Sequence, residues 1–190
     1  MTRPADRPDS TEAARRARAM WRYVGDQRPP FAVAPRAGEE SVWDYPRPPR
    51  VLLDARAVIV RCGSSEVART QRALRVCETA SPPTFYLPRT DIAAAFLIDA
   101  PGESWCEWKG RARYLTVAAP GLRCERAAWC YDDPLPGFEA LRGHVGFYPS
   151  PLVCTVGGAR VRPQPGRFYA GWVTPEVVGP FKGEPGSEGW

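Results

Sequence analysis

A chain of 190 residues is long enough for one domain with a sizeable core and an appended arm. Its 22 prolines and 17 glycines predict many turns and few long helices, while the 44% hydrophobic content indicates a folded globule. The net charge of +5 comes almost wholly from arginine, which permits attraction to anions but lacks the dense basic stripe of a dedicated nucleic-acid-binding protein.

The six cysteines and the single histidine do not form a metal-binding pattern. No two cysteines are spaced as C-x-x-C, and His144 has no ligand partner nearby in sequence, so we expect no metal and no other bound cofactor. Residues 1–20 contain no apolar run like that of a secretory signal, and no later segment is long enough to span a bilayer. We therefore expect a cytoplasmic protein with reduced thiols.

Residues 1–50 are predicted to form a helix followed by an arm. The apolar face of TEAARRARAMWRYV, residues 11–24, predicts a peripheral helix that packs on the domain through Met20 and Trp21. Its arginines leave nucleic-acid docking open as an alternative, although such charged faces are usually solvated. Residues 25–50 are too rich in proline for regular structure, and they predict an extended arm held by Phe31, Trp43 and Tyr45.

Strand signals begin at residue 56. RAVIVRC (56–62) and VARTQRALRVCET (67–79) flank Gly63-Ser64-Ser65, which predicts a hairpin. Further strands are predicted at TFYLP (84–88), WCEWKGRARYLTV (105–117) and RCERAAWCY (123–131), and a second hairpin joins LVCTV (152–156) to ARV (159–161). Short helical segments are predicted at DIAAAF (91–96) and PGFEALRG (136–143).

The last part of the chain, residues 163–190, is rich in glycine and proline but also in aromatic side chains. Disordered segments rarely carry so many aromatic residues, so we expect this tail to wrap around the domain and pack against it. The predicted fold is mainly β: a single compact antiparallel β domain over residues 51–190, with short peripheral helices and extended N- and C-terminal arms.

Several motifs resemble the DUF427 family, whose function is unassigned: ETASPPTFYLP, CEWKGRARY, AAWCYDDP, VGFYP and RPQPGRFYAGWVTPEVVGPFKG. The upstream ESVWDYPRPP resembles the arm of actinobacterial members, and the resemblance covers roughly residues 40–190. It implies a compact fold similar to the β-tent group, whose other members often hold zinc or small ligands. The zinc cysteine pairs of those relatives are missing here, so metal binding does not carry over.

The family is sometimes labelled nucleotidyltransferase-like, but this sequence does not support that label. It has neither a G-S-x-x-D-x-D pattern to hold a metal and triphosphate nor a G-x-x-x-x-G-K-S/T loop. Membership of the family therefore informs the fold more than the function.

Glu78 is the first candidate catalytic residue. Strand alternation places it on the same face as the apolar Leu74 and Val76, at the core rim or in a pocket. A pocket of low dielectric would suit it to general acid or base chemistry, and the alternative is a glutamate paired with an arginine. It also falls at the glutamate of the family's E-T-x-x-P-P-x-x-Y-x-P motif, which favours a functional role.

Tyr86 is the second candidate, because Pro82 and Pro83 stiffen the approach to it. A tyrosine near a carboxylate can donate a hydrogen bond to a substrate oxygen or act as an acid. A buried aromatic residue whose hydroxyl bonds to the backbone is the alternative.

Cys106 and Lys109 lie in one predicted strand. Alternation places Cys106 on an apolar face without a cation, which argues against a nucleophile, and it places Lys109 on the polar face with Arg111 and Arg113. A bulge after Tyr114 could re-aim these side chains. The lysine also matches the family's C-x-x-K-G motif, and we expect it to bind an anionic group rather than to form a Schiff base.

Trp129 and Tyr131 share a strand face, and Tyr148 follows in VGFYP. Aromatic walls with a few polar tips are typical of small-molecule pockets and equally typical of β cores.

The sequence predicts a protein that binds a small organic molecule in an aromatic-lined pocket. We favour a cofactor-free enzyme in which Glu78 is the acid or base, Tyr86 donates a hydrogen bond and Lys109 anchors an anion. Such groups fit isomerisation, cyclisation, dehydration or hydrolysis, whereas hydride and phosphoryl transfer need motifs that are missing. The alternatives are a non-catalytic ligand- or peptide-binding module and, less favoured, a nucleic-acid-associated protein; a homodimer is left open.

Overall fold

The computed structural model describes residue 16 and residues 18–166, 168–187 and 189–190. Among these residues the larger sheet has seven strands in the order β2-β5-β6-β10-β9-β8-β7, and every neighbouring pair is antiparallel. The strands are β2 (Arg50–Asp54), β5 (Ala73–Glu78), β6 (Ser81–Pro88), β7 (Leu97–Cys106), β8 (Gly110–Ala119), β9 (Leu122–Cys130) and β10 (His144–Phe147).

A second sheet of four strands packs against the first, in the order β12-β11-β3-β4. Its strands are β3 (Val58–Cys62), β4 (Ser65–Thr70), β11 (Val153–Val156) and β12 (Ala159–Arg160). Two small sheets involve the arms: β1 (Glu40–Ser41) pairs with β15 (Val177–Val178), and β13 (Arg162–Pro163) pairs with β14 (Trp172–Val173). The described chain is therefore mainly β, as the sequence predicted.

The larger sheet has two apolar faces because its strands alternate side chains between them. Its inner face contributes Phe85, Leu87 and Leu115 to the core shared with the four-stranded sheet. Its outer face contributes Tyr86 and Trp129 to a separate cluster with Leu141, which is where the cavity described below lies. One sheet thus carries the structural core on one side and the candidate site on the other.

The N-terminal arm and the C-terminal tail pack on the domain, as predicted, and they also pack against each other. Trp43 is fully buried and lies edge-on to Tyr23, Phe31 and Trp190. Phe31 also stacks on Trp190, with ring centroids 5.0 Å apart. Further along the tail, the Trp172 indole stacks on Phe85 at 5.0 Å. Burial of these large aromatic rings is what stabilises segments of low helix and strand propensity.

Both predicted hairpins are confirmed, since β3 pairs with β4 and β11 pairs with β12. The predicted strand over residues 67–79 is wrong as one element, because it divides into β4 and β5, which belong to different sheets. The predicted strand over residues 105–117 is also wrong as one element. It is a hairpin in which residues 107–109 turn the chain from β7 into β8.

The helical predictions are only partly confirmed. Most of the predicted helix over residues 11–24 lies outside the described residues; Arg16, Arg18 and Ala19 are helical, and the chain turns at Met20. Met20 is 79% exposed, so Trp21 packs on the domain without it. DIAAAF does not form one helix, since 3₁₀ turns at Arg89–Asp91 and Ala94–Phe96 flank two extended residues, Ile92 and Ala93. PGFEALRG contains a single 3₁₀ turn, Glu139–Leu141.

Candidate functional site

A cavity of about 400 Å³ opens on the outer face of the seven-stranded sheet. This volume lies within the range of small-molecule sites. Strands β5 to β9 supply most of its lining. The β7–β8 turn, the residues that follow β9 and β10, Trp21 and the C-terminal tail supply the rest. All the side chains that the sequence singled out contribute to it: Glu78, Tyr86, Lys109, Trp129, Tyr131 and Tyr148. Their roles stay a prediction, but they share one concave surface.

Glu78 is positioned by a tight turn between β5 and β6. Thr79 and Ala80 form the turn, with Ala80 at a positive φ of 67°, and Glu78 lies opposite Ser81 across the ladder. Glu78 lines the cavity together with Val76, so the predicted face is right. The Arg47 Nε donates to its Oε1 at 3.1 Å, so the alternative of a paired glutamate is also realised.

Arg47 is itself fixed from several sides. Its side chain is 1% exposed, and it donates to the backbone oxygens of Tyr23 at 2.7 Å and Thr79 at 2.8 Å. Its guanidinium also lies over the Trp21 ring, 4.2 Å from the centroid. These contacts hold one carboxylate oxygen of Glu78 in place, which orients the group at the cavity wall.

The Tyr86 hydroxyl lies at the centre of a hydrogen-bonded group. The indole Nε1 of Trp129 donates to it at 3.4 Å, and it also hydrogen-bonds with the Tyr131 hydroxyl. Burial raises the pKa of Tyr86, although the nearby Lys109 ammonium opposes that rise, and burial raises the pKa of Tyr131 as well. Tyr86 therefore stays protonated at neutral pH and can donate to a ligand oxygen.

Lys109 reaches the cavity because of the turn between β7 and β8, not because of a bulge. Gly110 follows it at a φ of +95°, a conformation that favours glycine, and the Leu135 N–H donates to the Lys109 oxygen at 3.1 Å. The turn places Lys109 on the same side as Cys106. The two expectations that Lys109 lies on the polar face and that Cys106 has no neighbouring cation are both wrong, since strand alternation does not continue through a turn.

The electrostatic surroundings of Lys109 favour its charged form. Burial by itself lowers the pKa of Lys109, but its interaction with Cys106, which includes a hydrogen bond, and the negative charge of Glu78 act in the opposite direction, and the pKa is raised overall. A lysine that keeps its proton is suited to bind a carboxylate or phosphate group and unsuited to attack a carbonyl. This agrees with the anchoring role that the sequence predicted.

The aromatic part of the cavity is formed by closely packed rings. Trp129 and Tyr148 have centroids 4.8 Å apart, and Tyr86 lies edge-on to Trp129 at 5.8 Å. Burial raises the pKa of Tyr148 to about 12, so this phenol also stays protonated. The predicted shared face of Trp129 and Tyr131 is confirmed, since both belong to the outer cluster of the large sheet.

The sequence analysis missed Lys182 and Trp21 as cavity residues. Lys182 is 5% exposed, and its Nζ lies over the Trp21 ring, 3.5 Å from the centroid. It is one of only two lysines in the chain, and both line this cavity. The scarcity of lysine in an arginine-rich sequence is the signal from which a role for Lys182 could have been predicted. For Trp21, the helix pattern predicts only that the side chain packs on the domain.

Arg18 and Asp132 each have a structural partner within the domain. The Arg18 Nε donates to the Glu107 oxygen in the β7–β8 turn at 2.9 Å, and its guanidinium lies over the Trp108 ring. Asp132 pairs with Arg113 at 2.8 Å. Among the described residues, no three His, Cys, Asp or Glu side chains are grouped where they could hold a metal ion.

A family model described as "Domain of unknown function (DUF427)" matches residues 50–158, which is more than half of the chain. The chain belongs to the DUF427 family. The match includes β2 to β11, which supply most of the cavity lining. No curated protein matches the sequence. In the part of this DUF427 protein that the structure describes, no helix has the length and apolar character needed to cross a membrane.

Proposed function

We propose that this DUF427 protein binds a small organic anion and acts on it by cofactor-independent acid/base catalysis. The observation that carries the proposal is the convergence of Glu78, the Tyr86 hydroxyl and the Lys109 ammonium on one aromatic-lined cavity of about 400 Å³. A carboxylate, a neutral hydroxyl donor and a fixed cation are the groups that proton-transfer chemistry requires.

Each group has a role that follows from its surroundings. Lys109 binds the carboxylate or phosphate of the ligand, and the rings of Trp129, Tyr131 and Tyr148 cover its apolar body. Tyr86 donates to an oxygen where negative charge develops. Glu78, oriented by Arg47, removes or returns a proton. The reaction classes that fit are isomerisation, cyclisation, dehydration and hydrolysis.

The second candidate function is a non-catalytic binding module for a metabolite or peptide end. The Arg47–Glu78 ion pair favours it, because a carboxylate held by a buried arginine can have a purely structural purpose. Nucleic-acid association is less favoured, since Arg18 contacts the domain itself and exposed arginines such as Arg72 and Arg111 pair with carboxylates.

The proposed setting of this activity is the cytoplasm of an actinobacterium, with reduced cysteines. The motif ESVWDYPRPP supports the source, and the six cysteines, all of them free, support the reducing compartment. A homodimer remains part of the proposal, to be checked by the molar mass of the protein in solution.

The test is to incubate the protein with an actinobacterial metabolite extract and to identify by mass spectrometry which compounds are retained or consumed. Glu78→Gln and Tyr86→Phe are run beside the wild type. We expect Glu78→Gln to retain a compound that the wild type consumes, with turnover reduced by about 10²- to 10⁴-fold. Tyr86→Phe should slow turnover because it removes one hydroxyl donor.

The matched control is Glu66→Gln, because Glu66 on β4 pairs with Arg61 on β3 and Arg69 on β4, away from the cavity. This variant should behave like the wild type. Retention without turnover in the wild type, unaffected by Glu78→Gln, would favour the binding module. Retention that no cavity substitution changes would show that the ligand binds elsewhere.

A further inference from the structure

Lys182 is held rigidly at the wall of the cavity. Its backbone N–H donates to the Ala80 oxygen at 2.7 Å, in the same turn that positions Glu78. Its carbonyl accepts from the Gln164 amide at 2.8 Å, and its Nζ donates to the main-chain oxygen of Trp190 at 2.9 Å. Two hydrogen bonds thus fix the Lys182 backbone and a third fixes its amine, which is the precision that a reactive group needs.

The neighbours of Lys182 make its charged form unfavourable. The Lys182 Nζ lies 3.5 Å from the centroid of the Trp21 ring, and the Arg47 guanidinium lies 4.2 Å from the same centroid. Two cations therefore share one ring in a buried position. Arginine does not lose its proton in proteins, so loss of a proton from Lys182 removes the repulsion, which the Glu78 carboxylate bound to Arg47 offsets only in part.

We propose that Lys182 is the nucleophile of a carbonyl-binding site, and that it forms an imine with an aldehyde or ketone group of the anionic ligand. This inference rests on the proposed function, because it assigns a substrate class to the same cavity. The ligand class is then a small carbonyl compound that also carries a carboxylate or phosphate.

The charge balance around Lys182 agrees with this assignment. Burial and the Arg47 charge lower its pKa from 10.5 to about 8, although Glu78 and Glu107 act in the opposite direction. A lysine in an apolar site beside a second cation is the recognised setting of an amine nucleophile. Lys109, whose pKa is raised, takes the complementary role of anchoring the ligand's anionic group.

The reaction balances without any further reagent. The lone pair of the neutral Lys182 amine forms a C–N bond to the carbonyl carbon, and the carbonyl π pair moves to oxygen, which gains a proton. The nitrogen, which now carries two protons, loses one of them to a base in the cavity. The hydroxyl group gains a proton from an acid in the cavity, and water leaves as the C=N bond forms. The protonated imine then gives its remaining N–H proton back to the cavity base. Glu78 and Tyr86 line the same cavity and can exchange these protons.

The experiment uses 4-formylbenzoate, whose carboxylate and aldehyde match the two lysine roles. The full-length protein is incubated with this probe and cyanoborohydride at pH 7.5, and the reduced adducts are located by peptide mass spectrometry. We expect the adduct at Lys182 rather than at Lys109, with a rate that saturates as the probe concentration rises. Added 4-methylbenzoate, which has no aldehyde, should slow the formation of the Lys182 adduct by competing with the probe for the cavity.

The matched control is Arg111→Lys, which introduces an exposed amine on β8, where the Arg111 side chain is 66% exposed. At pH 7.5 an amine of pKa about 8 has an unprotonated fraction on the order of 100-fold larger than an ordinary lysine. Reductive methylation with formaldehyde, which needs no binding site, should therefore modify Lys182 at least ~10-fold faster than the introduced amine.

The outcomes separate this inference from the proposed function. Equal or slower methylation of Lys182, or an adduct formed at Lys109 instead, overturns the imine assignment. If 4-methylbenzoate binds in the cavity while Lys182 stays unreactive, the anion site stands and the nucleophile is wrong. If Lys182 is methylated rapidly but 4-formylbenzoate shows no saturation, the nucleophile stands and the anion-binding proposal fails.

Discussion

Arg47 is the single side chain on which the site most depends. It is almost fully buried, it binds Glu78 and two backbone oxygens, and it supports the ring of Trp21. The Arg47 guanidinium bonds to Glu78 and lies over the same Trp21 ring as Lys182. It therefore sets both the orientation of Glu78 and the charge environment of Lys182. The same residue therefore serves both the proposed proton transfer and the proposed imine chemistry.

Replacing Arg47 with methionine should lower the free energy of unfolding by about 3–5 kcal/mol, because it leaves Glu78 without its buried partner. The two backbone oxygens also lose their donor. The control is Arg28→Met, since Arg28 and Asp44 form an exposed pair at 2.6 Å, and its loss should leave the free energy of unfolding nearly unchanged. Urea unfolding followed by tryptophan fluorescence measures both. Similar values for the two variants would show that the buried pair adds little.

At the scale of single elements, β10 determines how closely the aromatic wall approaches the sheet. Gly146 lies opposite Trp129 across the β9–β10 ladder. A Cβ at this position would stand 2.5 Å from the Trp129 ring, so the ring lies flat over the glycine. The missing side chain of Gly146 is thus what lets Trp129 reach Tyr86 and form that side of the cavity.

We expect Gly146→Ala to displace Trp129 and to lower the free energy of unfolding by about 1–3 kcal/mol, as overpacking does. It should also weaken ligand retention, because the Trp129 contact with the Tyr86 hydroxyl is lost. Gly189→Ala is the control, since nothing lies within 4 Å of a Cβ there. Denaturant unfolding and the fluorescence emission maximum report the two effects. An unchanged emission maximum in Gly146→Ala would contradict the proposed displacement.

At the scale of the whole molecule, the cavity is completed by segments outside the family match. Residues 50–158 provide the sheet face, while Trp21 and the tail residues Gln164, Tyr169 and Lys182 close the other side. The tail is fastened to the turn at Ala80 and the arm to the tail through β1 and β15. Any change that loosens this wrapping should alter the site before it unfolds the sheets.

The pH dependence of the free energy of unfolding tests the protonation state of Lys182 in the folded protein. Its pKa is lowered to about 8 by burial and Arg47, so between pH 8 and 10.5 the unfolded chain holds more protons than the folded one. The free energy of unfolding therefore rises with pH in this window, by about 1–3 kcal/mol from this group.

The measurement compares the wild type with Lys182→Met from pH 7 to 10.5. The difference between the two free energies should grow in favour of the wild type as the pH rises. Other titrating groups, such as Cys77, whose pKa burial raises to about 11, contribute to both proteins and cancel in the difference. Two parallel curves would mean that the pKa of Lys182 is not lowered by folding.

Much of the sheet and part of the site follow from local patterns in the sequence. Alternation in RCERAAWCY correctly places Trp129 and Tyr131 on one face, because side chains along a strand repeat every two residues. Glycine pairs and serines correctly mark two hairpins. The same rule fails at Lys109, because a turn interrupts the alternation, and no residue type in CEWKG distinguishes a turn from a bulge.

The sequence by itself determined the mainly β fold, the family and the shared face of Trp129 and Tyr131, since these depend on periodicity and motifs within one segment. Only the tertiary structure decided that Arg47 pairs with Glu78 and that Lys182, 104 positions further along the chain, lies at the same cavity. Such contacts depend on how the arms wrap around the domain, and burial of aromatic rings far apart in sequence drives that wrapping. No local pattern encodes it.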